Sequence, residues 1–309
     1  MYVRGRIIEE HKNHYFVDTE QGVINATLKG VLKKQKNRLY VGDFVDVEVF
    51  NMDPPEGIIR TLFHRKNIFH KPAIANIQQI VFVNTLKEPA CNLEFIDRFL
   101  FSSRVFEFPT IMVFNKTDLY TQAEKKELAA ICSCYERIGY TCLTISALTG
   151  ENIESLIDLC ENTLSILAGL SGTGKSTILA KIFPDRHFKT QELSKNIDRG
   201  MHTTTNTTLL KLSGPGYIAD TPGFSYIDLP QIDELDVSPH FPEIADNEGL
   251  CKFSNCIHEN EPGCAIKELV ESGEIALHRY NNYLSIYKSV QGKRREYKQV
   301  KKRIKKSSQ

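Results

Sequence analysis

Eight consecutive residues, Gly169-Leu170-Ser171-Gly172-Thr173-Gly174-Lys175-Ser176, carry the glycine spacing and the closing Lys-Ser pair of a phosphate-cradling loop. Glycines there let backbone N–H groups curl around phosphate oxygens, Lys175 adds a point charge, and the Ser176 hydroxyl can ligate Mg²⁺. The loop follows the apolar run Leu164–Ala168 and opens a helix, and the next residue, Thr177, is counted with the nucleotide-binding set. Three more short motifs also sit at the ends of strand-like runs. Asp220-Thr221-Pro222-Gly223 follows Tyr217-Ile218-Ala219. Asp220 can hold Mg²⁺ directly or through water, and Gly223 lets a backbone N–H approach a terminal phosphate. Asn115-Lys116-Thr117-Asp118 follows Ile111–Phe114. A carboxylate such as Asp118 can accept two hydrogen bonds from one guanine edge, which adenine cannot offer. Ser146-Ala147-Leu148 ends the next strand-like run and can aim backbone N–H donors at the guanine carbonyl. Singly, each has a bland reading as a turn or a helix start. Together they specify a guanine nucleotide with Mg²⁺.

Gly200-Met201-His202-Thr203-Thr204-Thr205 lies between the phosphate loop and the Asp220 motif. Thr204, in preference to Thr203, suits a switch threonine that ligates Mg²⁺ and senses a terminal phosphate. The alternative is a β-prone polar run leading into Thr207–Leu212. The position after Gly223 holds Phe224, where Ras-like enzymes place a water-orienting Gln, so slow intrinsic hydrolysis is expected. His202 is the nearest group in sequence that could position or deprotonate water.

A second chemistry is written in Cys251-x4-Cys256-x-His258-x5-Cys264. Three thiolates and one imidazole form a closed tetrahedral set, which suits one structural Zn²⁺. The other cysteines, Cys91, Cys132, Cys134, Cys142 and Cys160, are scattered and read as ordinary thiols.

The elements that must position these groups fall into three parts. Residues 1–66 contain β-branched and aromatic runs, Val3–Ile8, His14–Val17, Gly22–Leu28 and Phe44–Phe50, separated by turn formers that include Asp53-Pro54-Pro55-Glu56-Gly57. A small antiparallel barrel of the OB type is the natural closure. Residues 67–228 alternate apolar strands with helices, which implies an α/β domain with a mainly parallel sheet. Residues 229–309 read as a mostly helical module around the Cys/His set, followed by a basic tail. From Lys288 to Lys306 that tail holds ten Lys/Arg and one acid, Glu296, and is expected to be helical only in part or only when bound.

Over 309 residues the net charge is +1, with 41% hydrophobic and 25% charged residues, so no global field draws the chain to nucleic acid. Local charge is another matter: Lys29, Lys33, Lys34, Lys36 and Arg38 share one expected barrel loop. No run approaches the roughly 20 apolar residues of a membrane span, and the first residues lack an apolar signal core. A cytoplasmic chain with no membrane partner is expected, with its cysteines reduced.

The order of the motifs is the most specific feature. The base motif and Ser146-Ala147-Leu148 precede the phosphate loop, whereas in Ras-like GTPases the phosphate loop comes first. With an N-terminal barrel and a C-terminal Cys/His cluster, this order resembles the RsgA (YjeQ) family of circularly permuted GTPases, over nearly the whole chain. The resemblance implies GTP hydrolysis to GDP, a part in late maturation of the small (30S) ribosomal subunit, binding to its 16S rRNA, and stimulation by that subunit. It also implies a switch histidine, His202, as the water-orienting group, although Met201 stands where the family often has Arg. A monomer is expected. A nucleoside or small-molecule kinase is the first alternative, and Asn115–Asp118 argues against it. An RNA-binding protein with a passive nucleotide sensor is the second; the missing Gln leaves it open, and measured turnover decides it.

Overall fold

The computed structural model describes residues 1–28, 38–186, 207–221, 224–225, 227–230, 232 and 237–307, with side chains described as far as residue 292. Five strands, β1 (Tyr2–His11), β2 (His14–Thr19), β3 (Gly22–Leu28), β4 (Phe44–Met52) and β5 (Pro55–Leu62), close into a barrel in the order β1-β2-β3-β5-β4. All pairings are antiparallel except β3 with β5. Alternation along the strands sends Ile7, Val17, Ile24, Ala26, Val45, Val47 and Ile59 inside, where they are buried. The fifth strand was not legible, because Pro54-Pro55-Glu56-Gly57 reads as an extended turn. In fact β5 begins at Pro55, directly opposite Met52, so the turn is only two residues long.

Asp43 anchors the entry to β4. It is fully buried, accepts the Tyr40 N–H at 2.8 Å, and takes both hydrogen bonds of the Arg65 fork at 2.6 and 2.7 Å. Arg65 also donates to the Arg38 carbonyl at 2.7 Å. The chain then forms a small hairpin, β6 (Ile68–Phe69) and β7 (Ile74–Ala75), bonded back to the barrel by Ala75 N–H to the Val41 carbonyl at 2.9 Å.

Six strands make the second sheet: β8 (Gln79–Asn84), β9 (Thr110–Phe114), β10 (Thr141–Thr144), β11 (Leu164–Ala168), β12 (Thr208–Lys211) and β13 (Tyr217–Asp220), in the order β10-β9-β8-β11-β13-β12. β8 and β11 are buried throughout, as parallel central strands must be. β12 runs antiparallel to β13 at one edge. From β8 the chain builds outward to β9 and β10, and from β11 it builds the other way. The strand order therefore reverses between β8 and β11, and loops at such a point form the ligand crevice of an open α/β sheet.

The chain divides into two compact units. One comprises 1–89, 111–121 and 143–225 and holds the barrel and most of the second sheet; the other comprises 90–110, 122–142 and 226–309. The second unit contains helices Leu93–Val105, Gln122–Arg137, Pro242–Ala245, Ala265–Glu271 and Leu277–Ser307. Its core includes Phe101, Phe241, Ile244, Tyr283 and Ile286. Arg279 is buried there and donates to Asp97 at 2.5 Å and Glu243 at 2.6 Å, and Tyr135 and Asn282 donate to the same aspartate. Where a partly formed tail was expected, the last helix runs unbroken for 31 residues.

Removing one member of a buried, hydrogen-bonded ion pair strands the other charge. Asp43→Ala is expected to lower stability by about 3–5 kcal/mol in urea titration of the whole chain. A loss under about 1 kcal/mol would show that Arg65 is satisfied by water instead.

Candidate functional site

The phosphate loop leaves β11 at Gly169, whose φ is +140°. A Cβ there would lie 2.1 Å from the Val83 carbonyl oxygen. At the far end Gly174, with φ +91°, would place a Cβ 2.2 Å from the Asn115 side-chain nitrogen. Only glycine fits either position. Helix Lys175–Ile182 follows, with Ser176 and Thr177 half-buried in its first turn. Lys175 Nζ donates to the Gly169 and Leu170 carbonyls at 2.7 and 2.8 Å, which curls the ammonium over the loop. Burial lowers its pKa to about 8. Gly172 and Ser171 are exposed, while Thr173 is buried and donates to the Leu170 carbonyl at 3.0 Å.

Asn115 joins the motifs. Its side chain is buried, donates to the Thr173 carbonyl in the phosphate loop at 2.9 Å, and accepts the Ala147 N–H at 2.9 Å. Its backbone N–H reaches the Asn84 carbonyl at the end of β8, and its own carbonyl accepts the Tyr120 hydroxyl at 2.7 Å. Lys116 adopts the left-handed conformation, with φ 69°, and donates to the Glu88 carbonyl at 2.8 Å. Asp118 is exposed and accepts the Ser146 hydroxyl at 2.5 Å; that hydroxyl in turn accepts the Thr149 N–H at 3.1 Å. Leu148 points outward. Thr117 donates to Glu151 at 2.8 Å. Glu151, Glu88 and Tyr120 were not singled out in the sequence, since nothing in a Thr-Gly-Glu or Lys-Glu-Pro turn signals a distant partner.

Asp220 ends β13, half-buried, and its pKa is raised by burial, with Arg186 opposing. A desolvated carboxylate of this kind suits a bound cation. Next to it the Thr221 hydroxyl is buried with no hydrogen-bond partner among the described residues. Phe224 is buried too. Its ring meets Phe69 edge-on at 5.2 Å and its carbonyl accepts the Gly169 N–H at 3.3 Å. The structure thus brings Asn115–Asp118, Ser146–Leu148, Gly169–Thr177 and Asp220 to one edge of the sheet. Gly223, Met201, His202, Thr203 and Thr204 lie outside the described residues, as do Lys29, Lys33, Lys34 and Lys36.

The Cys/His set is assembled in the second unit. The candidate ligand atoms of Cys251, Cys256, His258 and Cys264 all lie within 4.8 Å of one another. His258 Nδ1 is 3.5 Å from the sulfurs of Cys251 and Cys264, which are 4.0 Å apart. A tetrahedral site with metal–sulfur bonds of about 2.3 Å has donor atoms about 3.8 Å apart, so the set fits a metal ion. The turn that allows this is unusual: His258 is left-handed at φ 66°. Glu261 holds it by accepting the N–H groups of Ile257, Glu259 and Asn260 at 3.0 Å. Burial raises the Glu261 pKa, but those donors outweigh it and hold the carboxyl below its ordinary value. Tyr280 caps the His258 carbonyl at 2.6 Å. Burial lowers the His258 pKa, which favours the neutral imidazole a metal requires.

The sequence profile of the RsgA GTPase family matches residues 61–230, and that of the RsgA N-terminal domain matches residues 4–59. Similar proteins include the small ribosomal subunit biogenesis GTPase RsgA of Moorella thermoacetica, 38% identical over 96% of this chain and 100% of that one. The protein of the same name from Thermotoga petrophila is 38% identical over 95% of this chain and 98% of its own. Among solved structures, YjeQ from Thermotoga maritima superposes with a TM-score of 0.79 at 35% identity, covering 94% of this chain and 99% of that one. YloQ, described as a circularly permuted GTPase, gives 0.77 at 28% identity over 95% and 96%.

Two outcomes follow from this geometry. An anion beside Lys175 raises its pKa, so above about pH 8 binding must take up a proton. Triphosphate affinity is expected to fall from about pH 7 to pH 10, by at most about tenfold per pH unit, and Lys175→Ala to lose that slope. A flat wild-type profile in calorimetry would contradict it. Removing metal by chelation, or Cys264→Ser, is expected to abolish one equivalent of bound metal and to loosen the turn around His258. Elemental analysis and hydrogen exchange at Ile257–Asn260 check this, and full retention of metal in Cys264→Ser would refute the ligand set.

Proposed function

The chain belongs to the RsgA GTPase family and is a GTP-hydrolysing enzyme, and from that premise we propose that it acts in late maturation of the small (30S) ribosomal subunit, binding 16S rRNA and being stimulated by the subunit. The observation that carries the nucleotide part is the buried Asn115 amide, which fixes the base motif, Ala147 and the phosphate loop in one frame. Within it Asp118 reads the guanine edge, oriented by Ser146, with Ala147 and Leu148 supplying backbone N–H groups toward the guanine carbonyl. Residues Gly169–Thr177 cradle the phosphates, with Lys175 on the β and γ groups. Ser176, Asp220 and the switch threonine Thr204 would hold the Mg²⁺ that travels with GTP. That ion supplies charge neutralisation on the transferring phosphoryl group. Gly223 brings an N–H to the γ-phosphate.

Phe224 has no polar atom on its side chain and is packed against Phe69, so water must be oriented by another group, for which His202 is the candidate. Slow turnover in isolation follows. This favours a partner that completes the site.

Three domains serve these roles: a barrel over residues 1–66 and a basic C-terminal tail that reach RNA, a permuted GTPase domain over 67–228, and a module over 229–309 in which Cys251, Cys256, His258 and Cys264 hold one structural Zn²⁺. No helix among the described residues is long and apolar enough to cross a membrane. The reading places a monomer in the cytoplasm.

Turnover of GTP and ATP with and without purified small subunits tests the proposal. GTP-selective hydrolysis that rises at least about tenfold with the subunit supports it, and turnover indifferent to the subunit refutes the ribosomal part. Asp118→Asn is expected to weaken GTP binding by about hundredfold or more, leaving affinity for xanthosine triphosphate improved, because Asn can donate to the extra carbonyl of xanthine. Unchanged GTP affinity in that variant would remove Asp118 from the base site.

A further inference from the structure

Barrel residues hold strand β13 at its start, and Phe69 of the following hairpin holds Phe224 just beyond its end. At its start Tyr217 is buried, and its hydroxyl donates to the Asp18 carboxylate on barrel strand β2. Lys211 stands directly opposite Tyr217 in the antiparallel pairing, and its Nζ meets the same carboxylate at 2.7 Å. Arg6 of β1 lies over the Tyr217 ring, 5.0 Å from its centre. One barrel carboxylate therefore ties down both strands of the β12–β13 hairpin. Asp18 and Tyr217 are both nearly buried, so water competes little for the hydroxyl bond, whereas Lys211 is about half exposed.

Beyond the other end the Phe224 N–H donates to the Thr221 carbonyl at 3.4 Å, and the Phe224 ring packs edge-on against Phe69 of β6. Phe69 is not on a free loop. Its hairpin is bonded to the barrel through Ala75 N–H to Val41, and Asn76 donates to the Gly42 carbonyl at 3.0 Å. Asp220 lies between these two grips, three residues after Tyr217 and four before Phe224.

We propose that Asp18 and Phe69 are positioning residues for Asp220: the N-terminal barrel and its hairpin set where this carboxylate is presented to the metal–nucleotide complex. The proposal rests on the reading of Asp220 as a Mg²⁺-site residue given above. It gives the barrel a role in the hydrolytic site that is separate from any contact the barrel makes with RNA. Neither residue belongs to a nucleotide motif, and the proposal puts their main effect on the metal side of binding, although the Phe224 carbonyl also accepts the Gly169 N–H of the phosphate loop.

The test uses the full chain and equilibrium binding of a fluorescent, non-hydrolysable GTP analogue, titrated with Mg²⁺. Asp220→Asn serves as the reference and raises the Mg²⁺ concentration for half-saturation. Asp18→Asn and Phe69→Leu are expected to raise it by roughly threefold to tenfold, with affinity at zero Mg²⁺ unchanged within about twofold. Tyr217→Phe removes a single hydroxyl and shifts it in the same direction, which guards against variants that fold poorly. If Asp220→Asn shifts the Mg²⁺ dependence and Asp18→Asn, Phe69→Leu and Tyr217→Phe do not, the grips are structural only and the inference is overturned. A parallel loss of Mg²⁺-free affinity also overturns it. No shift in Asp220→Asn removes the premise instead, which separates the two failures.

Discussion

A single buried amide sets the geometry of the nucleotide edge. Asn115 is the first residue past β9, its side chain is nearly inaccessible, and both its polar atoms are committed: one to the Thr173 carbonyl, the other to the Ala147 N–H. The motifs it joins come from three loops separated by tens of residues. An amide has one acceptor and one donor group in fixed relation, so it specifies the spacing of those loops as well as their proximity. Glycine at position 174 is a consequence, because any Cβ there would collide with the Asn115 nitrogen. Burial makes the arrangement stiff, since breaking either bond strands a polar group away from water.

Around that brace the charges are complementary to a ligand that brings both signs. Burial lowers the Lys175 pKa and raises that of Asp220, so each carries a desolvation cost when charged. A polyphosphate with its divalent cation offsets both at once, which neither ion does alone. Hydrolysis asks for one more group, to orient water, and the side chain after Gly223 cannot supply it. Phe224 instead serves packing: its ring meets Phe69 and its carbonyl accepts the Gly169 N–H of the phosphate loop. On the proposed reading the water-orienting group is His202, which lies outside the described residues. The Cys/His set belongs to the other compact unit, where Glu261 and Tyr280 shape the turn that carries His258.

What could be read from residues alone was whatever is local in the chain. Each nucleotide motif is a contiguous run at a strand end, and the Cys/His spacing lies within 14 residues, so type and spacing identify both. Strand and helix placement in the second sheet was legible for the same reason, through continuous apolar runs such as Ile80–Val83. The fifth barrel strand was hidden because consecutive prolines mimic a longer turn, although its first residue needs no ladder donor. The last helix was underestimated because its charge density argues for disorder, whereas its first half packs Tyr283, Ile286 and Val290 into a core. Glu151, Tyr120, Asp18 and Phe69 were invisible, since each matters through a partner far away in sequence and no local pattern encodes such a pairing.

Asn115 braces the phosphate loop as well as the base motif. Displacement of a fluorescent guanine nucleotide from wild type and Asn115→Ala, by GTP and by inorganic triphosphate, separates the two. Asn115→Ala is expected to weaken both competitors, the triphosphate by roughly tenfold or more, because Thr173 and the loop lose their fixed partner. Unchanged triphosphate affinity, with only the preference for guanine lost, would contradict it.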